Sequence, residues 1–62
     1  MNVKALIKLL HKVHKKVSVK KTKFYINGIR NTDSKLILHN VVKNYCYDSE
    51  TNALLIETEK LL

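Results

Sequence analysis

The sequence predicts an α+β domain in which one N-terminal amphipathic helix packs on a three- to four-stranded antiparallel β-meander. Three observations support this class: a helical repeat of apolar residues over 2–17, an Asn27-Gly28 dipeptide between two β-rich segments, and alternating apolar residues beyond residue 35. The 62 residues fit one small domain, 1–62, with the helix at about 2–17 and the meander at about 18–60.

The helix is predicted from a contiguous apolar stripe with a period of 3.6 residues. The stripe consists of Val3, Leu6, Ile7, Leu10, Val13, His14 and Val17. Lysines occupy the opposite side of the helical wheel. Neither Gly nor Pro follows the stripe, so we expect the helix to end at Val17, where β-branched residues begin.

The first hairpin is predicted from residues 18–30. Over 18–26, Phe24 and Ile26 share one strand face and Tyr25 takes the other. Asn27-Gly28 suits a type I′ turn, which needs a positive φ at both central residues. Ile29 and Arg30 begin the return strand, and residues 31–34 have the composition of a further turn.

A second β-rich segment covers residues 35–48. Leu36 and Leu38 alternate in even positions, whereas Tyr45 and Tyr47 alternate in odd ones. The change of parity predicts a bulge or a tight turn at His39-Asn40.

Residues 48–52 predict a loop, and the run from Ala53 to Thr58 predicts the last strand. A helix capped by Ser49 and continuing to Leu62 is the alternative, because a short apolar run is ambiguous by periodicity. We prefer the strand.

The small size implies a need for extra stabilisation. A domain of this length buries only ~60% of its unfolded surface, and a single cysteine allows no internal disulfide. We therefore expect a homodimer or a higher oligomer. A lone thiol, no signal-peptide pattern and no apolar run near the ~20 residues of a membrane span together predict a cytoplasmic protein.

Charge is the most informative property of the chain. The net charge is +7, and it is unevenly distributed. Residues 1–43 carry eleven Lys or Arg and one acid, which gives +10, and residues 44–62 carry one Lys and four acids, which gives −3. Such an asymmetry indicates one half that faces an anionic partner.

Nucleic acid is the partner that the basic half predicts best, with contacts to phosphates and low sequence specificity. The candidate contacts are Lys4, Lys8, Lys12, Lys15, Lys16, Lys20, Lys21, Lys23 and Arg30. Lysine lacks the bidentate geometry of arginine, so backbone contact is favoured over base reading. Both DNA and RNA remain open. The Lys- and Asn-rich, Gly-poor composition suits an AT-rich phage or plasmid gene.

Other interpretations of the same residues stay open. The lysines could form a solvated face that only confers solubility, or the chain could be an inhibitor or interaction module that binds an acidic surface of a host protein. Attachment of the helix to a membrane surface is disfavoured because the apolar stripe is needed to cover the sheet.

The remaining polar and aromatic groups predict structural roles. The tyrosines could stack on bases, but half-buried sheet positions suit them better. We expect a buried His14, a solvated His11 and a Cys46 that packs in the core. Zinc binding by His11, His14, His39 and Cys46 lacks the usual spacing, so no metal is predicted. No catalytic group and no cofactor site can be assembled, and we expect a protein that is not an enzyme.

Overall fold

A computed structural model describes residues 1–31 and 38–59. Within them lie one helix, α1 (Val3–Val13), and four strands, β1 (Lys23–Ile26), β2 (Ile29–Asn31), β3 (Val42–Asp48) and β4 (Ala53–Thr58). The strands form one sheet in the order β2-β1-β4-β3. The predicted class, one helix with a four-stranded sheet in an α+β domain, is confirmed. Of the turn predicted at 31–34, only Asn31 lies within the described residues. Leu36 lies outside them.

Helix α1 begins at an Asn2 cap, whose side-chain oxygen accepts a hydrogen bond of 2.9 Å from the Ala5 amide. It ends four residues before the predicted limit at Val17. The His14 amide still donates to the Leu10 carbonyl (2.7 Å), and the Val17 amide then donates to the His14 carbonyl (2.9 Å). This tighter turn carries Val17 into the core, where it is fully buried.

The predicted start of the first strand is replaced by a turn over residues 18–22. The Thr22 amide donates to the Ser18 carbonyl (3.1 Å), and the Ser18 amide donates to the Thr22 hydroxyl (2.9 Å). The Thr22 hydroxyl competes with strand pairing for a backbone amide, so β1 begins only at Lys23.

The predicted hairpin is confirmed. Asn27 and Gly28 have φ values of 52° and 81°, and Ile26 pairs with Ile29 on either side of the turn. The Asn27 side chain also fastens this turn to the end of β4. Its amide nitrogen donates to the Thr58 hydroxyl, and its oxygen accepts from the Thr58 amide, both at 2.9 Å.

The sheet is mixed, which differs from the expected antiparallel meander. Strand β4 pairs parallel with β1 and antiparallel with β3. Strand β4 has more buried residues than any other described strand, namely Ala53, Leu54, Ile56 and Thr58, as expected for a strand that is paired on both sides. Its strand assignment is confirmed, and the alternative helix from Ser49 is wrong.

The change of register predicted at His39-Asn40 is divided between two places. A turn occupies residues 38–40, and the irregularity in pairing lies between Val42 and Asn44, inside β3. After this shift Tyr45 pairs with Ile56 and Tyr47 with Leu54.

The core lies between α1 and one face of the sheet. Among the described residues it consists of Val3, Leu6, Ile7, Val17, Phe24, Ile26, Leu54 and Ile56. Val13, predicted in the apolar stripe, is 75% exposed, so the apolar contacts of the helix end near Leu10.

The Asn52 side chain links the turn after α1 to the end of β3. Its oxygen accepts from the Tyr47 hydroxyl (2.7 Å) and the Thr22 hydroxyl (3.3 Å). Its amide nitrogen donates to the carbonyls of Lys16 (3.0 Å) and Lys21 (3.4 Å). Asn52 also has a φ of 52°, a conformation that Asn tolerates better than most residues.

Replacing Asn52 separates these two roles. In Asn52→Gly the backbone conformation is kept and only the side-chain hydrogen bonds are removed, which we expect to cost ~2 kcal/mol of unfolding free energy. Asn52→Ala adds the strain of a positive φ and should be less stable than Asn52→Gly by a further ~1 kcal/mol. Urea denaturation followed by circular dichroism measures both differences. Equal stabilities for Asn52→Gly and the wild type would contradict the assigned network.

Candidate nucleic-acid interface

All nine cationic residues predicted to contact phosphates are exposed, but they do not form one continuous surface. They divide into a row on α1, a group in the turn after α1, and a pair on the far side of the sheet. The reason is geometric, because the helix covers one sheet face while strand residues alternate between the two faces.

The first group, here called the helix row, consists of Lys4, Lys8 and Lys12. These residues are exposed and four positions apart, so they follow one another along the helix at ~6 Å of rise. Helix α1 contains no acidic residue. Each neighbouring pair of like charges costs a few tenths of a kcal/mol. Lys4 also lies at the N-terminal end, where the helix dipole disfavours a cation.

The second group consists of Lys15, Lys16, Lys20 and Lys21, in the segment between α1 and β1. The Lys16 ammonium donates to the Ser49 carbonyl. The backbone of Lys16 and Lys21 is held by Asn52, as described above. This group therefore lies against the 48–52 loop, whose carboxylates, Asp48 and Glu50, reduce its net charge.

The third group, Lys23 and Arg30, lies on the sheet face that α1 does not cover. Arg30 pairs with Tyr25, and its guanidinium carbon is 5.6 Å from the Tyr25 ring centroid. Phe24 and Ile26, which flank Tyr25 in β1, are buried in the core on the other face. We call this surface the open face. It contains Lys23, Tyr25, Arg30, Asn44, Cys46, Asp48, Ala53, Leu55 and Glu57.

The contact between Arg30 and Tyr25 could have been found in the sequence. Residues at equal distances on either side of a two-residue hairpin turn face each other and share a sheet face. Tyr25 and Arg30 are such a pair around Asn27-Gly28. Arg30 therefore belongs with Tyr25 on the sheet and not with the helix lysines.

The tyrosines occupy three different environments. Tyr47 packs against the core and lies 4.8 Å from the His14 ring, centroid to centroid. Tyr25 is half-buried on the open face, and both residues fit the expectation of half-buried sheet positions. Tyr45 does not, because on the edge strand β3 it remains 48% exposed.

The histidines and the cysteine differ from expectation in two respects. His11 is exposed as predicted, yet its Nδ1 lies 3.0 Å from the Val17 carbonyl oxygen and holds the turn that follows the helix. The prediction that Cys46 packs in the core is wrong. It is exposed on the open face, opposite Leu55, because the register of β3 directs Tyr45 and Tyr47 to the other side. Among residues 1–31 and 38–59 no group of three metal-ligating side chains comes together.

In the part of the chain that the structure describes, no helix is long and apolar enough to cross a bilayer. Comparison with protein-family models, with curated proteins and with solved structures finds no significant match to this chain. Function is therefore inferred from the geometry and charge of the molecule itself.

The exposure of Cys46 is directly testable. Its thiol should react with Ellman's reagent in the native protein, at low micromolar concentration, nearly as fast as in urea, because an exposed thiol needs no unfolding to react. The readout is the rate of absorbance change with and without denaturant. A native rate slower by ~100-fold or more would place the thiol in the core instead.

Proposed function

We propose that the protein binds nucleic acid through the helix row, contacting the phosphate backbone with low sequence specificity. The observation that supports this most strongly is that Lys4, Lys8 and Lys12 are all exposed along one helix without an acidic residue. Such a row is unfavourable for the isolated helix. A polyanion reverses the balance, because binding releases condensed counterions.

The spacing of the row supports the same partner. Successive lysines rise by ~6 Å along the helix, which is close to the ~6.8 Å of axial rise that separates every second phosphate of one DNA strand. A flexible ammonium group provides charge without a fixed fork of donors. The proposal is therefore backbone contact, and either DNA or RNA would satisfy it.

The open face is less suited to a polyanion. Its cations, Lys23 and Arg30, share it with Asp48 and Glu57. The turn group lies beside the acidic 48–52 loop, so it can extend the helix row only at the C-terminal end of α1. The strongest one-signed surface among the described residues is the helix row.

We propose that the protein acts in the cytoplasm and is encoded by an AT-rich replicon such as a phage or a plasmid, in keeping with its composition. We propose no catalytic step. Binding to an acidic host protein instead would use the same charges, and the difference is experimental. Nucleic-acid binding predicts a complex that disappears with nuclease, whereas an interaction module predicts a stoichiometric protein complex that survives both nuclease and salt.

Salt-dependent binding of a fluorescent DNA duplex of arbitrary sequence tests the proposal. Replacing Lys4 and Lys8 by Gln should lower affinity and make the log–log salt slope shallower by about 1.8, because each phosphate that a lysine neutralises contributes about 0.9 to the slope. The replacement removes like-charge repulsion and should not destabilise the helix. Fluorescence anisotropy at several salt concentrations gives the slope.

The matched control is Lys23→Gln with Lys43→Gln, which removes the same charge from exposed positions on the sheet. It should leave most of the slope unchanged. Absence of binding at low salt would overturn the proposal, and equal reductions in affinity for the two double variants would overturn the assignment to the helix row.

A further inference from the structure

We infer that the open face is a self-association surface, and that its partner is a second copy of this chain. The most apolar part of the open face is exposed to solvent. Leu55, at its centre on β4, is 46% exposed, and neighbouring Cys46 is exposed. Helix α1 packs on the other side of the sheet, so among residues 1–31 and 38–59 no helix covers this face.

An apolar strip crosses the middle of the open face. Tyr25, Leu55 and Cys46 are paired neighbours on β1, β4 and β3. A protein interface usually has apolar side chains at its centre and charged ones around them. A polyanion would gain little from covering this strip, whereas another apolar surface would remove it from water.

The positive and negative charges of the open face lie on opposite sides of the sheet, and this separation favours a second copy of the chain as the partner. Arg30 and Lys23 lie on β2 and β1, at one side of the sheet. Glu57 and Asp48 lie on β4 and β3, at the other. Lys43 is not part of the open face as defined; it lies at the irregularity near the start of β3, at the opposite end of that strand from Asp48.

A twofold axis parallel to the strands makes this face complementary to itself. Such an axis places the β2 side of one copy over the β3 side of the other, so that Tyr25 meets Leu55 of the second copy. Arg30 then faces Cys46 of the second copy, with Glu57 of that copy on the adjacent strand within reach of a long side chain. Asp48 lies two residues along β3 on the other side, and its carboxylate already accepts hydrogen bonds from the Glu50 amide and the Thr51 hydroxyl. The relation repeats in reverse, as an isologous interface requires. An axis perpendicular to the strands would instead place Arg30 over Arg30, which like-charge repulsion opposes.

The open face is small for a protein interface. A standard interface removes ~800 Å² and involves about 20–30 residues on each side, whereas the open face has nine residues. A dimer formed through it should therefore be weak. It would still provide additional burial, which a 62-residue chain without a disulfide needs.

Sedimentation equilibrium without nucleic acid tests the inference independently of the proposed function. The wild type should change from monomer to dimer between about 1 and 500 µM, the range expected for a small interface. Leu55→Lys should weaken dimerisation by about tenfold or more, because it places a cation at the interface centre. The rate of Cys46 modification should fall over the same concentration range in the wild type.

Leu9→Lys is the matched control, since Leu9 is also 46% exposed but lies on α1. It should dimerise like the wild type. Charge reversal gives a second test at exposed positions: Arg30→Glu and Glu57→Arg should each weaken the dimer, and the double variant should recover most of the affinity. Circular dichroism verifies the fold of each variant. A wild type that stays monomeric throughout, or a Leu55→Lys variant that dimerises normally, would overturn the inference.

Discussion

The constraint on which the structure depends is that one 11-residue helix can cover only one face of the sheet. The core forms where Leu6 and Ile7 meet Leu54 and Ile56, and the polar residues are distributed by that contact. The lysines of α1 are exposed, and within residues 1–31 and 38–59 no helix covers the second sheet face. Two exposed surfaces of different chemistry, one cationic and one apolar with divided charge, result from a single packing contact.

Local chemistry determined the parts of the fold that could be predicted from the sequence. The Asn27-Gly28 turn, the apolar stripe of α1 and the alternation along β4 each follow from neighbouring residues. The strand order does not, because the parallel pairing of β1 with β4 joins segments ~30 residues apart. The early end of the helix was not predicted either, because the turn after His14, which brings Val17 into the core, is held by contacts with the distant Asn52.

The candidate site was predictable in composition but not in arrangement. That the basic residues would be exposed follows from their charge, and the row Lys4, Lys8 and Lys12 follows from helical spacing. The pairing of Arg30 with Tyr25 also follows from the two-residue hairpin turn, but its separation from the helix lysines depends on which sheet face α1 covers. The face of Cys46 was not predictable, because residues that alternate along an edge strand cannot be assigned to a face until the pairing is known.

The helix row has a further consequence for how the molecule responds to its ionic surroundings. Repulsion within the row is weakened by added salt, so dissolved ions should make the free protein more resistant to unfolding. In the proposed complex with nucleic acid, the same ions would compete for the polyanion and weaken its attachment. Folding and binding would thus respond to ionic strength in opposite directions, and the polyanion would itself act as a counterion that stabilises α1.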